Sequence, residues 1–223
     1  MSSARNVPRS AVLFDFDGTL ADTAPDLGAA LNRVRGEEGM PPLDVETLRP
    51  FASMGARGML RVGFALKPED SAYAPLRERF LRAYETLLCN ETCLFPGMRE
   101  LLDALEKRGI PWGIVTNKAR RFAEQIAAHL GVRPDCLVGG DDTPHFKPHP
   151  ASLLLAAEKL QISREASFYL GDDLRDIQAA RAAGMRPVGV EWGYISPDNG
   201  APEAWSPDLV LSQPEDLLRH LAR

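Results

Sequence analysis

The stretch Ala11-Val12-Leu13-Phe14-Asp15-Phe16-Asp17-Gly18-Thr19 opens with four apolar residues and then turns acidic. A short apolar run closed by charge is the pattern of a strand buried on both faces of a parallel sheet. Past its end, alternate residues of an extended chain point the same way, so Asp15 and Asp17 share one side while Phe16 faces the other. Gly18 permits a sharp turn and lets backbone N–H groups approach an anion. Two carboxylates so close repel unless a cation or a shared proton relieves them. A hard, oxygen-seeking ion such as Mg²⁺ meets that need. A lone Asp-x-Asp is commonly a helix cap or an acidic turn, but the longer pattern is rarer. At average usage of about 5% per residue, four fixed positions arise by chance in roughly one protein of this length in a thousand.

Outward from this stretch, short apolar runs alternate with longer helical patterns, the signature of a parallel α/β sheet. The strand candidates are Ala11–Phe14, Trp112–Val115, Cys136–Val138, Ser167–Leu170, Pro187–Val190 and Leu209–Leu211. Between them, Met98, Leu101, Leu102 and Leu105 follow helical spacing, with Gly109 as a stop. Phe122, Ile126 and Leu130 repeat every four residues before Gly131, and Leu153, Ala156, Ala157 and Leu160 form a third stripe opened by Pro150. Ser212 with Glu215 reads as a capping box for the last helix. One segment breaks the rhythm. From Ala21 to about Leu94 there is helical pattern and no convincing strand: Leu27, Ala30, Leu31 and Val34 make one stripe, and Tyr73, Leu76, Phe80, Ala83 and Leu87 another. The expected architecture is therefore an α/β, Rossmann-like core of residues 1–20 and 95–223 with an inserted all-helical domain at 21–94, hinged near Leu20–Asp22 and Thr92–Pro96.

The 223 residues are 44% hydrophobic and 26% charged, too apolar for disorder. The longest apolar run, Leu153 to Ala157, is far too short to span a membrane. The N-terminal apolar stretch breaks at Asp15, unlike a signal peptide. Net charge is −5 and no basic stripe is present, which argues against nucleic acid as a partner. The densest basic cluster, Lys118-Ala119-Arg120-Arg121, reads as a solvated helix start. Cys89, Cys93 and Cys136 form no disulfide framework and read as free thiols of a reducing cytoplasm. No second pair or nearby histidine completes a zinc set with Cys89 and Cys93.

Three further features lie at predicted strand ends, the edge where open parallel sheets bind ligands. Thr116-Asn117 follows Trp112–Val115, and a hydroxyl with an amide can hydrogen-bond phosphate oxygens, although a helix cap would look the same. Lys147, in Phe146-Lys147-Pro148, places a point charge before a helix. Gly171-Asp172-Asp173-Leu174-Arg175-Asp176 follows Ser167–Leu170 and offers carboxylates ahead of a helix starting near Asp176. Singly, each has a structural explanation.

In this order, DFDGT, a strand-end Thr, Lys and GDxxxD, the chain resembles the haloacid dehalogenase superfamily, specifically its Mg²⁺-dependent phosphatases, over its whole length. The insert after the first motif is similar to the helical cap of the phosphoglycolate phosphatase and β-phosphoglucomutase branch. The strings FDFDGTLADT, VTNK, KPHP and GDDLRDI resemble phosphoglycolate phosphatases, and GDDLRDI with Trp192-Gly193-Tyr194-Ile195 also resembles N-acetylmuramic acid 6-phosphate phosphatases. The resemblance implies that Asp15 is a nucleophile forming an aspartyl-phosphate, and that Asp17 is acid and then base. It implies that Thr116, Asn117 and Lys147 hold the phosphoryl group. Asp172, Asp15 and the Asp17 backbone carbonyl would ligate Mg²⁺, with Asp176 in support. The implied partner is a small phosphorylated metabolite bearing a carboxylate, handled in the cytoplasm by a monomer or homodimer.

Within the insert, Ser53-Met54-Gly55-Ala56-Arg57-Gly58 stands out. Arg57, flanked by glycines, is the candidate for bidentate capture of that carboxylate, with a solvated helix-start arginine as the plainer reading and Lys118 as the next cation in line. His145 and His149 read as loop residues. A G-x-G-x-x-G dinucleotide loop is absent, since no two glycines are separated by one residue. A phosphomutase and a non-catalytic scaffold on the same fold are the alternatives.

Overall fold

Val12, Leu13 and Phe14 are wholly buried, as a strand apolar on both faces requires. The computed structural model describes residues 9–221, so the signal-peptide reading of the first eight residues lies outside the described part. In chain order the elements are β1 (Val12–Phe14), β2 (Ala21–Asp22), α1 (Ala24–Glu37), α2 (Val45–Leu48), α3 (Gly55–Phe64), α4 (Tyr73–Leu87), β3 (Cys93–Leu94) and α5 (Met98–Lys107). There follow β4 (Trp112–Val115), α6 (Arg120–His129), β5 (Cys136–Val138), α7 (Ala151–Leu160), β6 (Phe168–Gly171), α8 (Leu174–Ala183), β7 (Arg186–Val190) and β8 (Leu209–Leu211).

Six strands form one parallel sheet in the order β5-β4-β1-β6-β7-β8. Phe14 of β1 lies level with Ile114 of β4 and Leu170 of β6. The chain builds outward from β1 to β5, then crosses back to β6 and on to β8. That reversal makes the adjacent ends of β4, β1 and β6 a topological switch point. Thr116, Asp15 and Asp172 are the first residues past those three ends. Strand alternation divides the cover: α5 and α6 pack with Val12 and Phe14 on one face, while α7 and α8 pack with Leu13 and Tyr169 on the other.

Between β2 and β3 lies the helical cap. Its core is built from Leu27, Ala30, Leu31 and Val34 of α1, Met59 and Leu60 of α3, and Phe80, Ala83 and Tyr84 of α4. The α1 stripe is the expected one; of the α4 stripe Phe80 and Ala83 enter the core with Tyr84 added, Tyr73, Leu76 and Leu87 are only partly buried, and Met59 and Leu60 belong to no stripe expected from the sequence. The cap core is continuous with Phe95, Phe122 and Tyr194 of the α/β layer. The rings of Tyr84 and Phe122 meet edge to face at 5.4 Å.

Three expectations need correction. The segment 21–94 is not free of strand: β2 and β3 pair antiparallel, Ala21 with Leu94 and Asp22 with Cys93. A chain leaving and re-entering a layer at one place satisfies its backbone groups by pairing with itself. Helix α8 starts at Leu174, two residues before Asp176, because Asp173 is its N-cap in a capping box with Asp176. The box expected of Ser212 and Glu215 is not formed. Pro214 opens a 3-10 segment, Pro214–Arg219, from Gln213, which leaves Ser212 outside the cap position, where its hydroxyl donates to Glu191.

Candidate active site

Asp15 leaves the sheet with its N–H still bonded to the Leu170 carbonyl at 2.9 Å, so strand geometry aims its side chain across the switch point. There the Lys147 ammonium lies 2.8 Å from Asp15 Oδ1 and 2.7 Å from Asp176 Oδ1. Lys147 also donates to the Tyr169 hydroxyl at 2.7 Å, and its side chain is 3% exposed. Burial works against its charge, but Asp15 and Asp176 outweigh that and hold it above the ordinary lysine range. Among the described residues the Lys147 ammonium is the one charged donor within ion-pair distance of Asp15 Oδ1.

Asp172 comes from the end of β6 and is fully enclosed. Its Oδ1 accepts from the Thr19 hydroxyl at 3.2 Å, and its Oδ2 from the Tyr194 N–H at 2.8 Å and the Ser53 hydroxyl at 2.6 Å. Gly18 and Gly193 make room for it. With φ at +85°, Gly18 would bring a Cβ within 2.1 Å of Asp172 Oδ2; one on Gly193 would lie 2.2 Å from the Asp172 Cβ. Carboxylate oxygens of Asp15, Asp172 and Asp176 all lie within 4.8 Å of one another. Burial, then Asp15 and Asp176, push the Asp172 carboxyl well above its usual range. Burial likewise raises Asp176 to about 7, against the pull of Lys147.

In the absence of a cation, burial favours protons on Asp172 and Asp176. When all three enclosed carboxylates are ionised, one ammonium leaves two negative charges uncompensated. A divalent, oxygen-seeking cation such as Mg²⁺ has the charge and ligand preference to balance them. The residues present therefore fit the ion. The Asp17 side chain is not part of this cluster. It turns the other way, where its Oδ1 accepts from the Thr23 hydroxyl and from Lys118 Nζ at 2.7 Å, so only its backbone carbonyl remains for the cluster.

The remaining expected residues divide. Thr116 is buried at the end of β4, and its Oγ1 accepts the Lys118 N–H at 3.2 Å. Asn117, expected beside it on the phosphoryl group, uses its amide on the Lys147 backbone. It accepts from the Lys147 N–H at 2.8 Å and donates to the Lys147 carbonyl at 3.2 Å. Arg57 does not sit over Asp15. It lies exposed on α3, on the wall of a cavity of about 460 Å³ shared with Arg61, Arg175 and Asp198. The cap residue that reaches the acidic cluster is Ser53. Its 3-10 segment, Arg49–Met54, carries it inward, whereas Arg57 starts the outer face of the next helix.

Lys118 overturns the solvated-helix reading. The loop after β4 turns inward before α6 begins at Arg120, and leaves the Lys118 side chain 6% exposed beside Asp17. Asp173, whose role the sequence left open, caps α8 and pairs with Arg175 at 2.8 Å. Although burial opposes it, Arg175 holds the Asp173 carboxyl below its usual range. His145 and His149 lie on the exposed loop around Lys147, as expected. Tyr169, Tyr194 and Tyr84 were missed as polar participants. Each lies in an apolar strand, loop or stripe, where an aromatic ring reads as core.

A parallel α/β enzyme working with carboxylates at a sheet switch point, under a helical layer, is the class this geometry defines. The family model for haloacid dehalogenase-like hydrolases matches residues 12–190. The chain belongs to that family and is a hydrolase. It is similar to a phosphoglycolate phosphatase of Xanthomonas campestris pv. campestris, 44% identical over 209 residues, covering 93% of this chain and 94% of that one. It is also similar to an N-acetylmuramic acid 6-phosphate phosphatase of Pseudomonas aeruginosa, 42% identical over 215 residues, covering 96% and 95%. The crystal structure of a predicted phosphoglycolate phosphatase from Haemophilus somnus superposes with a TM-score of 0.83 at 26% identity, covering 95% and 97%.

Proposed function

We propose that this hydrolase is a Mg²⁺-dependent phosphatase of small phosphomonoesters, that it works through an aspartyl-phosphate, and that its substrate is phosphoglycolate. The observation that carries the reading is the Asp15 carboxylate, enclosed at the switch point with the Lys147 ammonium 2.8 Å away and carboxylate oxygens of Asp172 and Asp176 within 4.8 Å. An anion held beside a fixed counter-charge is suited to attack. Asp15 forms a bond to phosphorus as the ester P–O bond breaks, and Asp17 gives the leaving oxygen its proton. Water then attacks the aspartyl-phosphate while Asp17 takes the proton back, releasing phosphate and restoring Asp15. Thr116 and Lys147 receive the phosphoryl oxygens, and Asn117 steadies the Lys147 backbone. Asp15, Asp172 and the Asp17 carbonyl hold Mg²⁺, backed by Asp176; the ion supplies positive charge that offsets repulsion between nucleophile and phosphate.

Residues 21–94 act as the cap that closes on the rest and excludes water. No helix among the described residues is long and apolar enough to cross a membrane. The three unpaired cysteines support a reducing, cytoplasmic setting, and the assembly is read as a monomer or homodimer. The decisive experiment is Asp15→Asn, which keeps shape and removes the attacking anion. Phosphate release is expected to fall by several orders of magnitude while circular dichroism stays unchanged; retained Mg²⁺-dependent turnover in the folded variant overturns the mechanism. The second reading, N-acetylmuramic acid 6-phosphate as substrate, is favoured by the Pseudomonas aeruginosa relative. The ratio of kcat/KM on the two esters separates them.

A further inference from the structure

Beside Asp17, the group assigned to the leaving oxygen, two polar groups are left underused. Lys118 carries three N–H donors and gives one, in aligned geometry, to Asp17 Oδ1 at 2.7 Å, with the Tyr84 hydroxyl as its other side-chain neighbour. The hydroxyl of Tyr84 is buried with no aligned hydrogen-bond partner, and its polar neighbour is Lys118. A buried hydroxyl without a partner is costly and uncommon. The two groups adjoin, with Lys118 Nζ 4.9 Å from the centroid of the Tyr84 ring. They come from opposite layers, Lys118 from the loop after β4 and Tyr84 from α4 of the cap. Burial pushes the Tyr84 hydroxyl up to about 12, so it enters any contact as a neutral donor.

We infer that Lys118 and Tyr84 together form a subsite for a carboxylate on the leaving group, and that the enzyme therefore selects phosphoesters of small 2-hydroxy acids. This rests on the phosphatase reading above and adds which residues read the substrate. One ammonium and one neutral hydroxyl match a monoanion with two acceptor oxygens. A second phosphate would bring a charge the enclosed site does not balance. In a 2-hydroxy acid ester the carboxylate carbon is two bonds from the ester oxygen, which keeps it beside Asp17. A carboxylate carried across a sugar ring is not so placed.

The test compares kcat/KM on phosphoglycolate with kcat/KM on 2-hydroxyethyl phosphate, which replaces the carboxylate with a hydroxymethyl group. Tyr84→Phe keeps the ring packed on Phe122 and is expected to lower that ratio about tenfold; Lys118→Met is expected to lower it about a hundredfold. An unchanged ratio in the folded Tyr84→Phe protein overturns the subsite while leaving the phosphatase reading intact, and it decides alone if Lys118→Met does not fold. Preference of the parent enzyme for an ester bearing a second phosphate also overturns it. Failure of the parent enzyme to hydrolyse either ester overturns the subsite and the phosphoglycolate assignment, and only added inactivity on N-acetylmuramic acid 6-phosphate overturns the phosphatase reading.

Discussion

Lys147 and Lys118 are both enclosed ammonium groups beside an aspartate of the same strand end, yet they depend on different parts of the chain. Every partner of Lys147 belongs to the sheet layer: Asp15, Asp176, Tyr169 and the Val115 carbonyl. Lys118 pairs with Asp17 below and leans on Tyr84 from the cap above. The charge beside Asp15 is thus fixed by the sheet layer. The charge beside Asp17 is packed from the helical layer by Tyr84.

The largest test of this division is Lys147→Met. It strands Asp15 and Asp176 without a counter-charge, and breaking a buried pair in this way costs about 3–5 kcal/mol. Denaturant unfolding at pH 7 should show that loss, together with a fall in phosphate release of about 10²–10³. A stability change under about 1 kcal/mol would erase the contrast between the two lysines.

The acidic cluster should also make metal-free stability depend on pH. The folded state raises Asp176 to about 7 and Asp172 well above its usual range, burial being the leading cause for both. A raised carboxyl binds its proton more tightly in the folded protein than in the unfolded chain, where it titrates near 4. The stabilisation is therefore complete below about pH 4 and is lost as pH rises through about 7. With a chelator present, Tm should fall by several degrees between pH 5 and 8. Saturating Mg²⁺ should flatten that slope, because binding to the folded state alone restores stability. A chelated protein whose Tm rises over this range contradicts the cluster as described.

A smaller effect is expected where the two layers join. The Tyr194 hydroxyl accepts from the N–H groups of Thr23 at 2.6 Å and Ala24 at 2.9 Å, and donates to Asp22 at 2.6 Å. Tyr194→Phe leaves the Thr23 N–H unpaired and the Ala24 N–H with only Asp22 Oδ1 at 3.3 Å, and should cost about 1–3 kcal/mol, read from the urea midpoint. The smallest effect belongs to Arg57→Ala. An exposed guanidinium with no contact to the acidic cluster should change kcat/KM on phosphoglycolate by less than about twofold. A loss of ten- to a hundredfold would return carboxylate capture to Arg57 and remove it from Lys118 and Tyr84.

Most of the sheet was legible because each of its six strands is a short apolar run with a polar stop, and burial on both faces demands that composition. The apolar stripes of α1, α4 and α5 were legible for the same reason, since helical spacing states which side chains share a face. Spacing does not state what lies across from them. The two-residue strands at Ala21–Asp22 and Cys93–Leu94 are too short to show alternation. Lys118 stands in a basic tetrapeptide that looks solvated until the loop after β4 folds it inward. Tyr84 lies four residues after Phe80, so its burial was readable, but its unpartnered hydroxyl was not. Asp15 and Asp172 were legible as strand-end residues, and Lys147 as a loop charge ahead of a helix. That Asn117 holds the Lys147 backbone depends on a side-chain torsion no spacing encodes.

Tyr194 touches the acidic cluster with its backbone and the cap with its ring. Its N–H is bonded to Asp172, and its hydroxyl, a ring's length away, receives the first turn of α1. A phenol ring does not stretch or bend. One side chain therefore bridges the Asp172 carboxylate and the first residues of the helical layer, and the span from its Cβ to its hydroxyl is set by the ring.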